Sequence, residues 1–552
     1  MINERINWES QKSYYLIIIA VCFFSFFLNN GIIPADLMES RNLATAQEMV
    51  RNDNFLIPTM NGELRLEKPP LPTWFAAGIE MILPGNLSAQ RCASGFMGAL
   101  LGVFLFSLVF YISRNSQISL MSSLILVTSF NIILIGRTAS WDIYCHAFML
   151  VAIFFLFQAL SNKGKQWSRF LFAGIFMGLS FLSKGPVAFY ALLLPFLIAY
   201  FMVYFRPLQG KTAPIILMAV VCLLISFVWT GYIYLLHGEL AESVAQKESS
   251  AWMNHNVRPL YYYWQFPAEF GVWALFVVTA IVYFFFFKKR EYDKEYRFAI
   301  IWFIASLVLL SLIPEKKIRY LLPVLIPGSI FTAIYFYHQF KLRLSSTEKN
   351  LFRINASLIA LLVLSLPILL YLLLYKENQV SIFLVLIAGL LCWSLGILIF
   401  KFTFEKNGPN ARNIFVSIVG LMIIVSILFL RPIGNLFLNE ERKSIRALRT
   451  DNRVENLDFY YNEMEEMRME LVYEADRTIR PLDVSNDSLM YEKMPFVFLS
   501  GFPVDSLFQG KEVSIEKIGI FDNNWQKTDH KRYNPNLKRE VAIIKGKTIE
   551  NE

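Results

Sequence analysis

Residues Asp36–Pro72, DLMESRNLATAQEMVRNDNFLIPTMNGELRLEKPPLP, interrupt an otherwise apolar N-terminal third of the chain. The apolar run Tyr14–Leu28 lies just before them, and Trp74, Phe75 and further apolar sequence follow. Charge this dense between two segments suited to lipid reads as a loop at a membrane face, and it is where chemistry is expected. The fold class follows: helical and polytopic, because a chain that repeatedly enters hydrocarbon satisfies its backbone groups there as helices.

Composition agrees. The 552 residues are 55% hydrophobic and only 17% charged, with a mean hydropathy of +0.45, whereas soluble chains carry about 25% charge. Apolar runs long enough to cross a bilayer recur from residue 14 to residue 430 and are centred near residues 21, 100, 126, 150, 177, 196, 224, 278, 304, 329, 363, 390 and 421, which predicts thirteen spans. The first has a short basic flank but no small-residue cleavage site, so it is expected to stay as a span. The net charge of +9 lies in short clusters between apolar runs, which excludes a nucleic-acid patch and points to topology. Cys22, Cys92, Cys145, Cys222 and Cys392 lie in or beside apolar runs without paired spacing, so neither a disulfide framework nor a thiolate metal site is expected.

The positive-inside rule sets the orientation. With the N-terminus inside, the inner loops carry Arg114; Lys163, Lys165 and Arg169; Arg206 and Lys211; Lys288 to Arg290 with Lys294 and Arg297; Lys341 to Arg353; and Lys401 to Arg412. The outer face then receives the loop 34–87, the segment around Asp142, the Lys184-Gly185-Pro186 turn, the loop 237–267, the Glu315–Arg319 turn and everything after Arg431. The basic loops alone set this orientation, and the polar features suited to chemistry share one face. Beyond Arg431 the composition becomes that of a soluble domain, with strand-like LDFYY, PFVFLS and VAIIKG alternating with charged helical stretches. The expected organisation is a membrane domain, 1–431, with its outer catalytic loop 34–87, and a small C-terminal α/β domain, 432–552.

Within the first outer loop, Leu43, Ala46, Met49 and Val50 recur at helical spacing, which predicts an amphipathic juxtamembrane helix over 39–52. Asp36 and Glu39 stand at its start, as catalytic carboxylates or as capping charges. Glu67-Lys68 is followed by two prolines that stiffen the backbone beside the membrane. Asp142 at the edge of an apolar helix carries either a function or a neutralised structural charge. The same holds for Lys184, which can alternatively snorkel; His146 reads as a packing residue. In NHNVRPLYYYWQFP, His255 and Arg258 suit an ion or a phosphate, and the aromatic residues suit an interface belt. Lys316, Lys317 and Arg319 gather on the outer face against the positive-inside trend, which points to an anionic ligand such as a lipid phosphate.

The ordered set ESRNLATAQEMVRNDNFLIPTMNGELRLEKPPLPTW, RTASWDIYCHAF, FLSKGPVAF, HNVRPLYYY and KKIRYLLPVLIP resembles the bacterial aminoarabinose (lipid A) transferases and the wider protein O-mannosyltransferase-like GT-C glycosyltransferases. The resemblance covers about residues 10–430. It implies a polytopic GT-C fold of about thirteen transmembrane helices and transfer of a sugar from a polyprenyl-phosphate carrier to an acceptor at the outer face of a bacterial inner membrane. The acceptor it implies is a lipid A-type lipid, a glycan or a protein. Glu39 matches the Glu of the family's acidic pair, but Met38 replaces the preceding Asp, and Asp36 stands two positions earlier. Asp36, Glu39 and Asp142 are therefore the implied catalytic set, and Arg41, Lys68, Lys184, Arg258, Lys317, Arg319 and Tyr320 the implied substrate-binding set. Glu67 and His255 are the implied ligands of a divalent metal ion, the one cofactor the resemblance suggests. The competing reading is a transporter or flippase of a lipid-linked sugar, which would show inverted repeats and midplane charges.

Overall fold

The structure, a computed structural model, describes residues 11–254, 256–286, 291–341, 345–376, 378–406, 408–436, 438–439 and 441–547. It divides into two compact units. One gathers the first span up to Asn30 with Leu66–Pro72 and Arg91–Pro432; the other gathers Gly31–Arg65, Thr73–Gln90 and the chain from Ile433 onward.

The first unit is all helix. Among the described residues eight helices are long and apolar enough to cross a membrane, or ten when each of two bent pairs counts as one span. All thirteen predicted centres fall within helices. Three of these, Lys12–Phe27, Trp167–Lys184 and Phe189–Val203, are too short or too polar to count, so among the described residues length and composition alone support eight to ten crossings and do not confirm thirteen. Two helices form the inside of the unit: Asp142–Ser161 and Ile318–Lys341 are 94% buried along their apolar windows, against 22–50% for the others. The first begins at Asp142, and the second has Arg319 in its first turn. Elsewhere small residues permit close approach, as expected in lipid. Helix Trp167–Lys184 presents Gly174 and Gly178 to helix Thr212–Leu236, where an added Cβ would lie 2.5 Å from the Met218 carbonyl oxygen and 2.6 Å from Ile225 Cβ.

Two spans are broken. Ser116–Val127 and Phe130–Gly136 meet at 63°, and Leu260–Glu269 and Gly271–Phe286 at 98°. The first breaks where Thr128 and Ser129 turn their hydroxyls back onto the carbonyls of Leu124 and Ile125. The second breaks at Gly271, whose φ of +60° suits a residue without a Cβ.

In the second unit the loop helix spans Leu37–Arg51, starting two residues before the expected residue 39. A two-residue hairpin follows, β1 (Thr59–Met60) and β2 (Glu63–Leu64), turning through Asn61-Gly62 with both φ positive. The C-terminal part is a five-stranded mixed sheet of β3 (Asp458–Asn462), β4 (Ile479–Leu482), β5 (Phe496–Ser500), β6 (Val513–Asp522) and β7 (Lys538–Gly546), in the order β4-β3-β5-β7-β6. The first three strands are parallel, and β7 pairs antiparallel with β5 and β6. Phe496, Phe498, Tyr460, Met490 and Phe508 fill its core.

Candidate active site

In the membrane unit the charges converge on Asp142. This residue opens helix Asp142–Ser161 and is 1% exposed. A carboxylate buried this deeply needs cations, and two supply it. Lys184 Nζ, at the end of helix Trp167–Lys184, hydrogen-bonds Asp142 Oδ1. Arg319 Nε lies 3.7 Å from Oδ2. Gly185, at φ +70°, ends the lysine's helix there. Lys184 Nζ also sits 4.8 Å from the centre of the Tyr320 ring, and Lys317 Nζ 5.7 Å from the same ring. Lys317 in turn pairs with Glu315 at 2.6 Å.

The turn that carries Lys317, Arg319 and Tyr320 is braced on two sides. Residues 256–258 run antiparallel to 314–316: Arg258 donates its N–H to the Pro314 carbonyl at 3.2 Å, and Lys316 donates to Asn256 at 3.2 Å. Lys316 is 3% exposed and donates through Nζ to the carbonyls of Arg258 and Ile313. Burial holds its ammonium below the ordinary lysine pKa. Of the two adjacent lysines, Lys316 is thus a structural strut and Lys317 faces Tyr320. From the other side the two broken spans meet. Asn131, just past the first break, donates to Glu269 at 2.7 Å and to the Ile318 carbonyl at 3.4 Å, and Glu269 stands at the second break.

In the other unit, Asp36 is the N-cap of the loop helix: its Oδ1 accepts the Glu39 N–H at 2.8 Å, and the residue is exposed. Glu39 is 1% exposed. The loop helix is anchored by groups that composition did not single out. Glu48 accepts from Thr59 Oγ1 at 2.7 Å and from Gly62 N–H at 3.2 Å, tying the hairpin to the helix. Arg65 is buried and donates to the Arg41 carbonyl at 2.9 Å and to Thr45 Oγ1 at 2.8 Å. Arg41 itself is exposed.

Asp142, Lys184, Arg258, Lys317, Arg319 and Tyr320 come from four stretches of sequence and are brought into one connected cluster. Asp36, Glu39 and Arg41 share the first turns of one helix. Glu67 is half-buried, with one oxygen that has no hydrogen-bond partner among the described residues, an atom suited to a cation; Lys68 follows it. His255, its expected partner, lies outside the described residues. Among the described residues no three His, Cys, Asp or Glu side chains gather as metal ligands. Sequence reading missed Asn131 and Glu269. A signal was there, a carboxylate inside the apolar run YWQFPAEFGVW.

The family of dolichyl-phosphate-mannose-protein mannosyltransferases matches residues 16–241. An uncharacterised protein of Aquifex aeolicus is 28% identical over 59% of this chain, which spans only 64% of that relative. An undecaprenyl phosphate-alpha-4-amino-4-deoxy-L-arabinose arabinosyl transferase of Proteus mirabilis is 24% identical over 68% of this chain and 70% of its own length. The crystal structure of ArnT from Cupriavidus metallidurans bound to undecaprenyl phosphate superposes with a TM-score of 0.68 at 15% identity, covering 97% of this chain and 98% of that one. The chain is a multi-pass membrane protein that shares the fold of that structure, the GT-C fold.

Proposed function

We propose that the protein is a glycosyltransferase that moves a sugar from a polyprenyl-phosphate carrier to an envelope acceptor. The observation that carries this reading is the cluster in which Asp142 holds Lys184 and Arg319 beside Tyr320 and Lys317. Cations fixed before the substrate arrives suit an anion that gains charge during reaction, because they need not reorganise when it does. A departing lipid phosphate is such an anion. Asp142, saturated by two cations, acts by orienting them. Lys184, Arg319, Lys317, Arg258, Tyr320 and Lys68 are assigned to the phosphate, and Arg41 to the substrate near the loop.

The acceptor's O–H or N–H must lose a proton as it attacks the anomeric carbon. The sugar–phosphate C–O bond breaks, its electron pair stays on the phosphate oxygen, and the cations stabilise that charge. We assign the base to Asp36. Its carboxylate is exposed, and the cap bond to the Glu39 N–H occupies one oxygen and leaves Oδ2 to take the proton. Glu39, buried, orients the start of the helix. Glu67 and His255 are retained as candidate ligands of a divalent ion. The protein is assigned to a bacterial inner membrane, with its N-terminus cytoplasmic and its C-terminal domain periplasmic. The acceptor class is a membrane lipid such as lipid A, a glycan or a protein.

The test is transfer of labelled sugar from polyprenyl phosphate in proteoliposomes. Asp36→Asn and Asp36→Ser both keep a good N-cap while removing the base, so both are expected to abolish transfer. Full activity in both would reduce Asp36 to a cap and leave the base unassigned. Full activity in Lys184→Ala and Arg319→Ala would remove the cluster from the carrier phosphate, and absence of transfer by the wild-type protein would sink the transferase reading itself.

A further inference from the structure

The first outer loop does not stand alone within its unit: the segment 458–482 of the C-terminal sheet domain grips it at two points and reaches it at a third through Gln90. At the hairpin tip, Asn61 meets the first residue of β4 through both of its amide atoms. Its Nδ2 donates to the Ile479 carbonyl at 2.7 Å, and its Oδ1 accepts the Ile479 N–H at 2.7 Å. Because β4 is an edge strand, the side chain supplies the pairing that a neighbouring strand would otherwise give. At the end of the loop helix, Arg51 donates to the Asp476 carbonyl at 2.8 Å and forms an ion pair with the Asp476 carboxylate. Asp476 is the left-handed C-cap, φ +54°, of helix Met469–Ala475, which packs against the loop helix. On the third side Tyr473, from that same helix, donates its O–H to Gln90 at 2.7 Å, and Gln90 also hydrogen-bonds Glu80. Burial, with the Glu474 and Glu39 carboxylates beside it, pushes the Tyr473 phenol above its ordinary pKa. This residue of the C-terminal domain therefore lies in the field of Glu39.

A loop helix of 15 residues is marginal on its own in water. The position of its N-cap, and so of the Asp36 carboxylate, is set by what grips the helix. We propose that the C-terminal domain is a working part of the transferase, with Asn61, Arg51 and Asp476 as positioning residues that fix where Asp36 meets the acceptor. This rests on the assignment of Asp36 made above.

The test uses full-length protein in lipid nanodiscs. Asn61→Gly keeps the positive-φ turn and deletes both bonds to Ile479, while Asn61→Asp keeps the turn and the acceptor bond only. Asp476→Asn keeps the left-handed cap and removes the ion pair. In Asn61→Gly and in Asn61→Gly/Asp476→Asn, amide hydrogen exchange over 37–64 is expected to rise. At the same time kcat is expected to fall by roughly 10- to 100-fold, as for a misplaced catalytic group, with the KM for the lipid-linked donor unchanged; Asn61→Asp should fall between these variants and wild type. Raised exchange with wild-type kcat would overturn the positioning role, and unchanged exchange would overturn the clasp. Absence of transfer by wild-type protein would instead refute the transferase reading, a result the exchange measurement does not touch.

Discussion

Asp142→Asn is expected to be far more damaging than Lys184→Met, although the two residues are partners in one bond. The carboxylate has two cations, Lys184 on one oxygen and Arg319 3.7 Å from the other. Removing Lys184 leaves Asp142 with Arg319; removing the carboxylate leaves two cations facing each other. The Lys184 side chain is only 9% exposed, whereas Arg319 at 25% keeps some water. Stranding one buried charge costs about 3–5 kcal/mol, and replacing a whole buried pair by apolar groups is often neutral. Asp142→Asn should therefore lose stability towards the top of that range. Lys184→Met should lose less, and the double variant Asp142→Asn/Lys184→Met should regain much of the loss. The cysteines provide the readout: Cys22, Cys145, Cys222 and Cys392 are buried, and a thiol-reactive fluorophore reports their exposure during thermal unfolding in detergent. Cys145, which donates to the Asp142 carbonyl at 3.2 Å, reports beside the site. If the two single losses simply add in the double variant, to within about 0.5 kcal/mol, the pair is not coupled and the account of Asp142 as the anchor of the cluster fails.

Glu269→Gln and Asn131→Ala act on the brace behind Ile318 and should lower kcat for sugar transfer while the protein still folds. An unchanged rate in both would remove the brace from the positioning of Arg319 and Tyr320. Gly174→Ala and Gly178→Ala each place a methyl group against helix Thr212–Leu236 and should destabilise by about 1–3 kcal/mol, read in the same thiol assay. The pH dependence of the other unit has a defined sign at Glu80. Burial raises its carboxyl above the ordinary 4.5, so the native state favours the protonated form. The stabilisation is full below the ordinary value and is lost as pH rises through the raised one. Glu80→Gln should flatten the fall in stability above about pH 4.5, seen as a shallower slope of unfolding temperature against pH.

The residues of the cluster were legible one at a time, but the cluster itself was not. Asp142 and Lys184 each stood out because charge at the end of an apolar helix is costly. Nothing local joins two residues 42 positions apart, and only helix packing makes them partners. Arg258 and the Glu315–Arg319 turn are linked by backbone pairing, to which side-chain chemistry is blind. The start of the loop helix was legible, because Asp followed three residues later by Glu is a capping pattern. Its partner was not: nothing in the sequence joins this juxtamembrane helix to Met469–Ala475, against which it packs. The sheet was half visible. β3, β5 and β7 are apolar runs, whereas β4 is four residues long and contains Pro481, and β6 alternates charged and apolar side chains along an edge.

Met38 shows why position along a helix matters more than the match of a motif. The resemblance implies an aspartate there, which would be the second residue of the loop helix. The structure has Asp36 one step outside the helix, in extended backbone at ψ 174°, where its side chain can receive the Glu39 N–H. An aspartate at 38 would have helical backbone and no cap bond to make. Moving the carboxylate two residues towards the N-terminus thus changes its constraint from the helix surface to the cap. If transfer depends on a carboxylate at this end of the loop and not on one particular Cα, Asp36→Ser/Met38→Asp should recover activity that Asp36→Ser alone loses, with the serine keeping the cap. Failure of the double variant, with the loop helix intact by amide exchange, would mean that the cap geometry itself places the base.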